Sequence, residues 1–181
     1  MKKSNLILIG TGIALLIFFF AFQLSLHSNI ERNEIKVDGD LVASEIRSVS
    51  RFKKLNIEKG IKVFLKQDSI ISLSITAPKN WLPHIKTQVQ DDELIIEKTK
   101  HTQNKDSVIV FISMETLNQV NVNSGGGLET VGRVNGSHLE LNFEEESKGN
   151  LELSYASIKC NLASGSKVKI SGNSNEIDIS N

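Results

Sequence analysis

Four histidines, one cysteine, two acidic runs and one glycine run are the residues whose types could do chemistry. His27, His84, His101 and His138 lie far apart and share no short motif. A metal site or a nucleophilic triad needs its ligands or partners in a recognisable constellation, and this spacing points to neither. Cys160 is a single cysteine, so it makes no internal disulfide, and it lacks neighbours at ligand spacing. It reads as a small buried apolar residue. Asp91-Asp92 and Glu144-Glu145-Glu146 are the acidic candidates. Paired carboxylates serve glycoside hydrolysis when they face each other across a cleft. Runs of like charge belong more simply to solvated turns, and a calcium site needs about six converging oxygens. The run SGGGLE, Ser124 to Glu129, occurs once, whereas calcium-binding glycine repeats carry an aspartate in every coil. Neither a helix pattern nor a Lys-Ser/Thr pair follows it, so it is no phosphate cradle. The reading assigns no catalytic residue, no cofactor-binding residue, no metal ligand and no cofactor, and expects a protein that is not an enzyme.

The elements that would position any binding surface show a repeat. NQVNVNSGGG at Asn118, SHLELNFEEE at Ser137, ASIKCNLASG at Ala156 and NEIDISN at Asn175 start 19 residues apart. Val120, Leu139, Ile158 and Ile177 fall in one column, and Val122, Leu141, Cys160 and Ile179 in a second. Asn123, Asn142 and Asn161 form a third, suited to a hydrogen-bonded amide ladder. The outward position reads Asn121, Glu140, Lys159 and Asp178, with charge alternating over the last three. A further strand per coil is visible at Leu151 and Leu153 and again at Val168 and Ile170, 17 residues on. That mismatch with 19 implies that the loop Glu144–Gly149 is longer than its counterpart ASGS. Glycines at 125–127, 132, 136, 165 and 172 read as strand-breaking corners. A fixed period near 20 residues with alternating apolar positions predicts a right-handed parallel β-solenoid. The competing reading is an antiparallel meander.

Upstream the pattern is also period 2. Leu55/Ile57, Ile61/Val63/Leu65, Ile71/Leu73/Ile75, Ile85 to Val89, Leu94 to Ile96 and Val108/Val110/Ile112 read as short strands. Pro78 and Pro83 interrupt this series and predict a loop or a helical turn, with Trp81 and Leu82 plugging an end of the core.

The formal net charge of the 181 residues is zero, and no basic stripe stands out, so no nucleic-acid partner is expected. Leu6 to Leu26 is 21 residues without charge, preceded by Lys2 and Lys3. A bilayer-spanning helix takes about 20 such residues, and the lysines favour a cytoplasmic N-terminus. A cleaved signal peptide has a shorter apolar core and a small-x-small site. The expected organisation is a cytoplasmic tail over 1–5, one transmembrane helix over 6–26, a linker over 27–48 and a β-solenoid domain over 49–181. The chain is then single-pass, membrane-anchored through residues 6–26, with its C-terminal domain exported to the periplasm or cell surface.

RFKKLNIEKGIKVFLKQ, then ITAPKNWLPHIKTQVQDDELIIEK, and the turns SGGGLE, SGSKVKI and SGNSNEIDI resemble the putative auto-transporter adhesin, head GIN domain family. The similarity runs from Arg51 to Asn181. The resemblance implies a β-solenoid in an exported or envelope-anchored bacterial protein. Glu144 to Glu146 depart from the family's small-Gly turn. The functional expectation is a non-catalytic envelope module for adhesion or for protein or glycan binding. Its partner would be an envelope protein or glycan, or a second copy through the C-terminal edge. Alternatives are a polysaccharide-processing enzyme on a β-helix and an envelope-stress sensing component.

Overall fold

Strict alternation of apolar and polar residues buries every second side chain, and the strands follow that alternation. The structure, a computed structural model, describes the backbone of residues 36–37, 40–100 and 108–181 and the side chains of 41–100 and 108–181. The strands are β1 (Lys36–Val37), β2 (Asp40–Arg47), β3 (Lys54–Ile57), β4 (Ile61–Gln67), β5 (Ser72–Pro78), β6 (Ile85–Gln90) and β7 (Glu93–Lys98). They continue as β8 (Val108–Met114), β9 (Gln119–Val122), β10 (Gly127–Thr130), β11 (Val134–Phe143), β12 (Lys148–Leu162) and β13 (Lys167–Ser180). Leu82–His84 forms a 3-10 turn where the two prolines interrupt the strand pattern.

All 13 described strands belong to one mixed sheet that curls on itself. One limb runs β2-β5-β8-β4-β10 and the other β6-β7-β3-β9-β11. The long strand β12 joins them: its start pairs with β10 and its remainder with β11. β13 follows β12 along its whole length, from Lys148↔Lys167 to Asn161↔Ser180. The core fills the inside of the curl. Leu55, Ile57, Ile61, Val63, Leu65, Leu94, Ile96, Val120, Val122 and Leu141 have no exposed surface.

The expected right-handed parallel β-solenoid is corrected here. β1-β2, β2-β5, β5-β8 and β6-β7 are antiparallel, while the remaining pairs are parallel. The first half of the chain reverses in tight turns such as Asp91-Asp92, and a period of 2 is blind to strand direction. The expected transmembrane helix over 6–26 lies outside the described residues, as do the tail over 1–5 and most of the linker. Among the described residues no helix is long and apolar enough to cross a membrane. The linker expected over 27–48 ends too late, because β2 is part of the sheet. Arg47 fixes it there: its guanidinium donates to the carbonyls of Ile85 (2.6 Å) and Leu82 (2.9 Å) and reaches Glu45 Oε1 at 2.8 Å. Arg47 lies far in sequence from the carbonyls it holds, so no local pattern announces it.

The repeat register is also corrected. Leu139↔Ile158↔Ile177 and Leu141↔Cys160↔Ile179 are neighbours on parallel strands, 19 residues apart. Val120, however, pairs with Leu141, and Asn121 with Asn142, an offset of 21. The extra two residues sit at the corner Val131-Gly132-Arg133, between Leu128↔Gly149 and Val134↔Leu153. Likewise Leu151 pairs with Ile170, not Val168, so the loop at Glu144 is no longer than its successor. In both places the error is two residues, and a two-residue slip leaves every side chain on its own face.

Among the described residues four limb-to-limb turns stack on one another, each built on two consecutive residues with positive φ. They are Lys59-Gly60 (56°, 67°), Ser124-Gly125 (53°, 71°), Glu145-Glu146 (53°, 62°) and Ser164-Gly165 (51°, 77°). Backbone bonds run between them, from Gly125 N to Glu145 O (2.8 Å) and from Glu146 N to Ser164 O (3.0 Å). The acidic run thus occupies a left-handed corner where the other three turns have glycine at the second position. Gly136 and Gly172, by contrast, lie inside β11 and β13 and break neither. A Cβ at Gly136 would meet the Tyr155 ring at 2.3 Å.

Left-handed φ costs a non-glycine residue about 1 kcal/mol. Glu146→Gly should therefore stabilise the fold by about 1 kcal/mol in urea denaturation. Tyr155 donates its hydroxyl to the Leu117 carbonyl at 2.9 Å, and burial pushes its pKa up to about 12 from 10.0. The folded state holds that proton more tightly than the unfolded chain. Its contribution is complete below pH 10.0 and is lost as pH rises towards about 12. Tyr155→Phe should lower stability at neutral pH by about 1 kcal/mol, the value of one hydrogen bond, and flatten the alkaline part of the stability profile.

Candidate functional site

A strand in the interior of a sheet has partners on both sides, and β13 has one on its β12 side alone among the described strands. The consequences appear in its apolar side chains. Ile158 and Cys160 on β12 are 2% and 1% exposed, whereas Ile177 and Ile179, their neighbours on β13, are 50% and 60% exposed. Val168 and Ile170 on the other limb are partly buried. Together with Leu153 and Leu162 these residues line an open cleft of about 290 Å³. β13 turns from one limb to the other at Gly172, where φ is 119° and a Cβ would lie 1.9 Å from the Leu153 carbonyl oxygen. The bend shifts the alternation, so Val168 and Ile170 face the core on one side of it and Ile177 and Ile179 on the other.

Two polar rows on the outer face lead to this edge. In the first, Glu93, Lys54, Gln119, Glu140, Lys159 and Asp178 are successive register neighbours. The expected member Asn121 is replaced by Gln119, through the two-residue offset at the corner. In the second, Asn121, Asn142, Asn161 and Ser180 are aligned. Asn142 Nδ2 donates to Asn121 Oδ1 (2.9 Å), Asn161 Nδ2 to Asn142 Oδ1 (2.6 Å) and the Ser180 hydroxyl to Asn161 Oδ1. Asn121 Nδ2 ends the run on Glu93 Oε1 at 3.2 Å. The amide ladder thus contains Asn121 rather than Asn123. Its last acceptor is used by a serine of the edge strand itself.

The other sequence candidates are dispersed. His138 Nδ1 lies 2.6 Å from Ser157 Oγ, and Glu176 is the next residue along that row. The serine stands between the imidazole and the carboxylate, while a triad needs the imidazole in the middle. His84 sits in the 3-10 turn, edge-on to Trp81 at 5.9 Å. His27 and His101 lie outside the described residues. Asp91-Asp92 forms the hairpin turn between β6 and β7, and Glu144–Glu146 the limb corner. Burial raises the pKa of the Cys160 thiol and so favours its unreactive protonated form. Among the described residues no three His, Cys, Asp or Glu side chains are grouped to hold a metal ion.

The lysines of the edge, Lys167 and Lys169, are not part of the charge column at Glu140, Lys159 and Asp178. Their signal is alternation: KVKI before the bend matches EIDI after it in pattern, with the charge sign reversed.

The sequence pattern of the putative auto-transporter adhesin, head GIN domain matches residues 51–181. The chain belongs to that family. Among solved structures, a putative adhesin from Bacteroides fragilis superposes with a TM-score of 0.71 at 17% identity, over 75% of this chain and 65% of that one. A putative adhesin from Parabacteroides distasonis gives 0.67 at 17% identity, over 78% of this chain and 70% of that one. One from Parabacteroides merdae gives 0.56 at 14%, over 80% and 79%. At these identities the likeness concerns the fold. The matched region spans about 65% of the Bacteroides fragilis chain. No curated protein matches this sequence.

The amide ladder is testable. Asn142→Ala leaves Asn161 Nδ2 and Asn121 Oδ1 without their partners. It should cost about 1–2 kcal/mol in chemical denaturation, the value of two exchanged hydrogen bonds in a partly solvated site.

Proposed function

We propose that this head GIN domain is a non-catalytic adhesion module of the bacterial envelope, and that it binds an extended protein segment along β13. The family supports an adhesion-type role in coarse terms. The edge supplies the observation that carries the finer reading: a 14-residue strand with one backbone edge unpaired and Ile177 and Ile179 half exposed above an apolar cleft. Exposed edges are templates for added strands, in which backbone bonds give affinity and alternate side-chain pockets give specificity. Covering the two isoleucines would contribute about 1 kcal/mol each, half of a full burial. Extended protein is favoured over glycan because the free groups are a row of peptide N–H and C=O groups rather than a ring-stacking platform. The exposed aromatic Phe111 is stacked against Phe64, with ring centroids 5.1 Å apart. The acidic runs act as turn residues, which supports a binding rather than a hydrolytic role.

The uncharged run Leu6–Leu26 supports anchoring in a membrane, with the domain exported. The full chain carrying a photoreactive residue in place of Ile179, irradiated in its native membrane, should yield a protein adduct. The same residue at Phe111 on the far limb should not. The absence of an adduct at 179, or equal yields at both positions, would remove the β13 edge from the function.

A further inference from the structure

We infer that the segment that completes β13 is β13 of a second copy of this chain, lying antiparallel about a two-fold axis between Asn173 and Ser174. This rests on the edge-binding reading above and names its partner. The evidence is the self-complementarity of the strand around its own bend. On the first limb Val168 and Ile170 face inward and Lys167, Lys169 and Ser171 outward; on the second limb Ile177 and Ile179 face inward and Glu176, Asp178 and Ser180 outward. An antiparallel partner keeps inward residues opposite inward ones only if each opposed pair of residue numbers has an odd sum, because the bend has switched the parity.

Among the odd registers, the one centred between Asn173 and Ser174 opposes Val168 to Ile179 and Ile170 to Ile177. It also sets Lys169 opposite Asp178, Lys167 opposite Ser180 and Ser171 opposite Glu176. A slip of two residues in one direction faces Ile170 with Asn175, and in the other it faces Ile177 with Gly172. The two-fold axis also satisfies the bend. It carries the first limb of one copy onto the second limb of the other with the chain direction reversed, so corner lies on corner.

Charge sorts the same way. Lys167 stands opposite Lys148 and Lys169 opposite Asn150, so neither lysine has a carboxylate directly opposite it on β12, and the nearby Glu152 is taken by Arg133. The second-limb edge presents Glu176 and Asp178, the open end of the alternating row. Each limb therefore lacks the sign that the other limb of a second copy supplies. Such a contact is isologous and closes at two chains. It extends the Glu140, Lys159, Asp178 alternation by one further lysine across the interface.

The test uses the full chain in detergent with Cys160→Ala, and places one cysteine at each of two positions. Lys169→Cys and Asp178→Cys chains, mixed under mild oxidation, should give a disulfide-linked dimer. Each variant alone should give little, since like positions are far apart across the two-fold. The slipped pair Lys167→Cys with Asp178→Cys should also give little. Association driven by the apolar run at 6–26 would not select among these pairs. Separately, Lys169→Asp or Asp178→Lys should each weaken dimerisation by roughly tenfold in sedimentation, and the two together in one chain should restore it. Monomer throughout, or cross-linking without regard to register, would overturn the inference. If Ile179 still captures a different protein in membranes while the chain stays monomeric, the second copy is wrong and the edge reading stands. If neither occurs, both fall.

Discussion

The curled sheet depends on neighbouring strands leaving one limb and entering the other at the same place. Four pairs of left-handed residues, from Lys59-Gly60 to Ser164-Gly165, meet that requirement. The ladder continues through the corner: Asn123, Glu144 and Ala163 donate back to Ile57, Val122 and Phe143, and beyond the turn Lys148 and Lys167 donate to Gly126 and Ser147. Backbone groups that a turn would normally leave open are therefore paired strand to strand. The corner sets the register of both limbs at once. That is why the glutamate pair tolerates a conformation better suited to glycine: its neighbours above and below determine it.

The two limbs then divide the remaining work. The inner face is a largely apolar core, filled from Phe52 to Cys160, with Lys98 and Ser147 the buried polar residues among those described. The outer face of the second limb carries the amide ladder and the alternating charges, so identical spacing serves both packing and polar pairing. Side chains aligned at strand spacing of about 4.8 Å see a like residue or an opposite charge in each direction. The last strand inherits the pattern and has nothing beyond it among the described strands. Its exposed isoleucines, Ile177 and Ile179, continue the columns of the buried Ile158 and Cys160.

Much of this was legible in the sequence. Alternation located β3 to β9 and the interruption at Pro78 and Pro83, and the columns of Leu139, Ile158 and Ile177 were placed as neighbours. Direction was not legible, because Ile85–Val89 alternates in the same way whether it runs with β7 or against it. Nor was the true offset of Val120, since a shift of two residues leaves the apolar pattern unchanged. The open edge of β13 is legible in the sequence only over its last residues, Ile177 to Asn181. The facing of Lys167 and Lys169 relative to Glu176 and Asp178 depends on the bend at Gly172, whose effect appears in the fold alone. Arg47, in a stretch that reads as linker, contributes through carbonyls that carry no sequence signal at all.

The corner at Val131-Gly132-Arg133 bears on which changes of length the sheet tolerates. It holds two residues more than the equivalent place in the next coil, and both coils still present the same faces inward. One added residue would have turned the following strand inside out, exposing Leu139 and Leu141 and burying His138 and Glu140. Length change that keeps these faces inward at this corner therefore comes in pairs of residues.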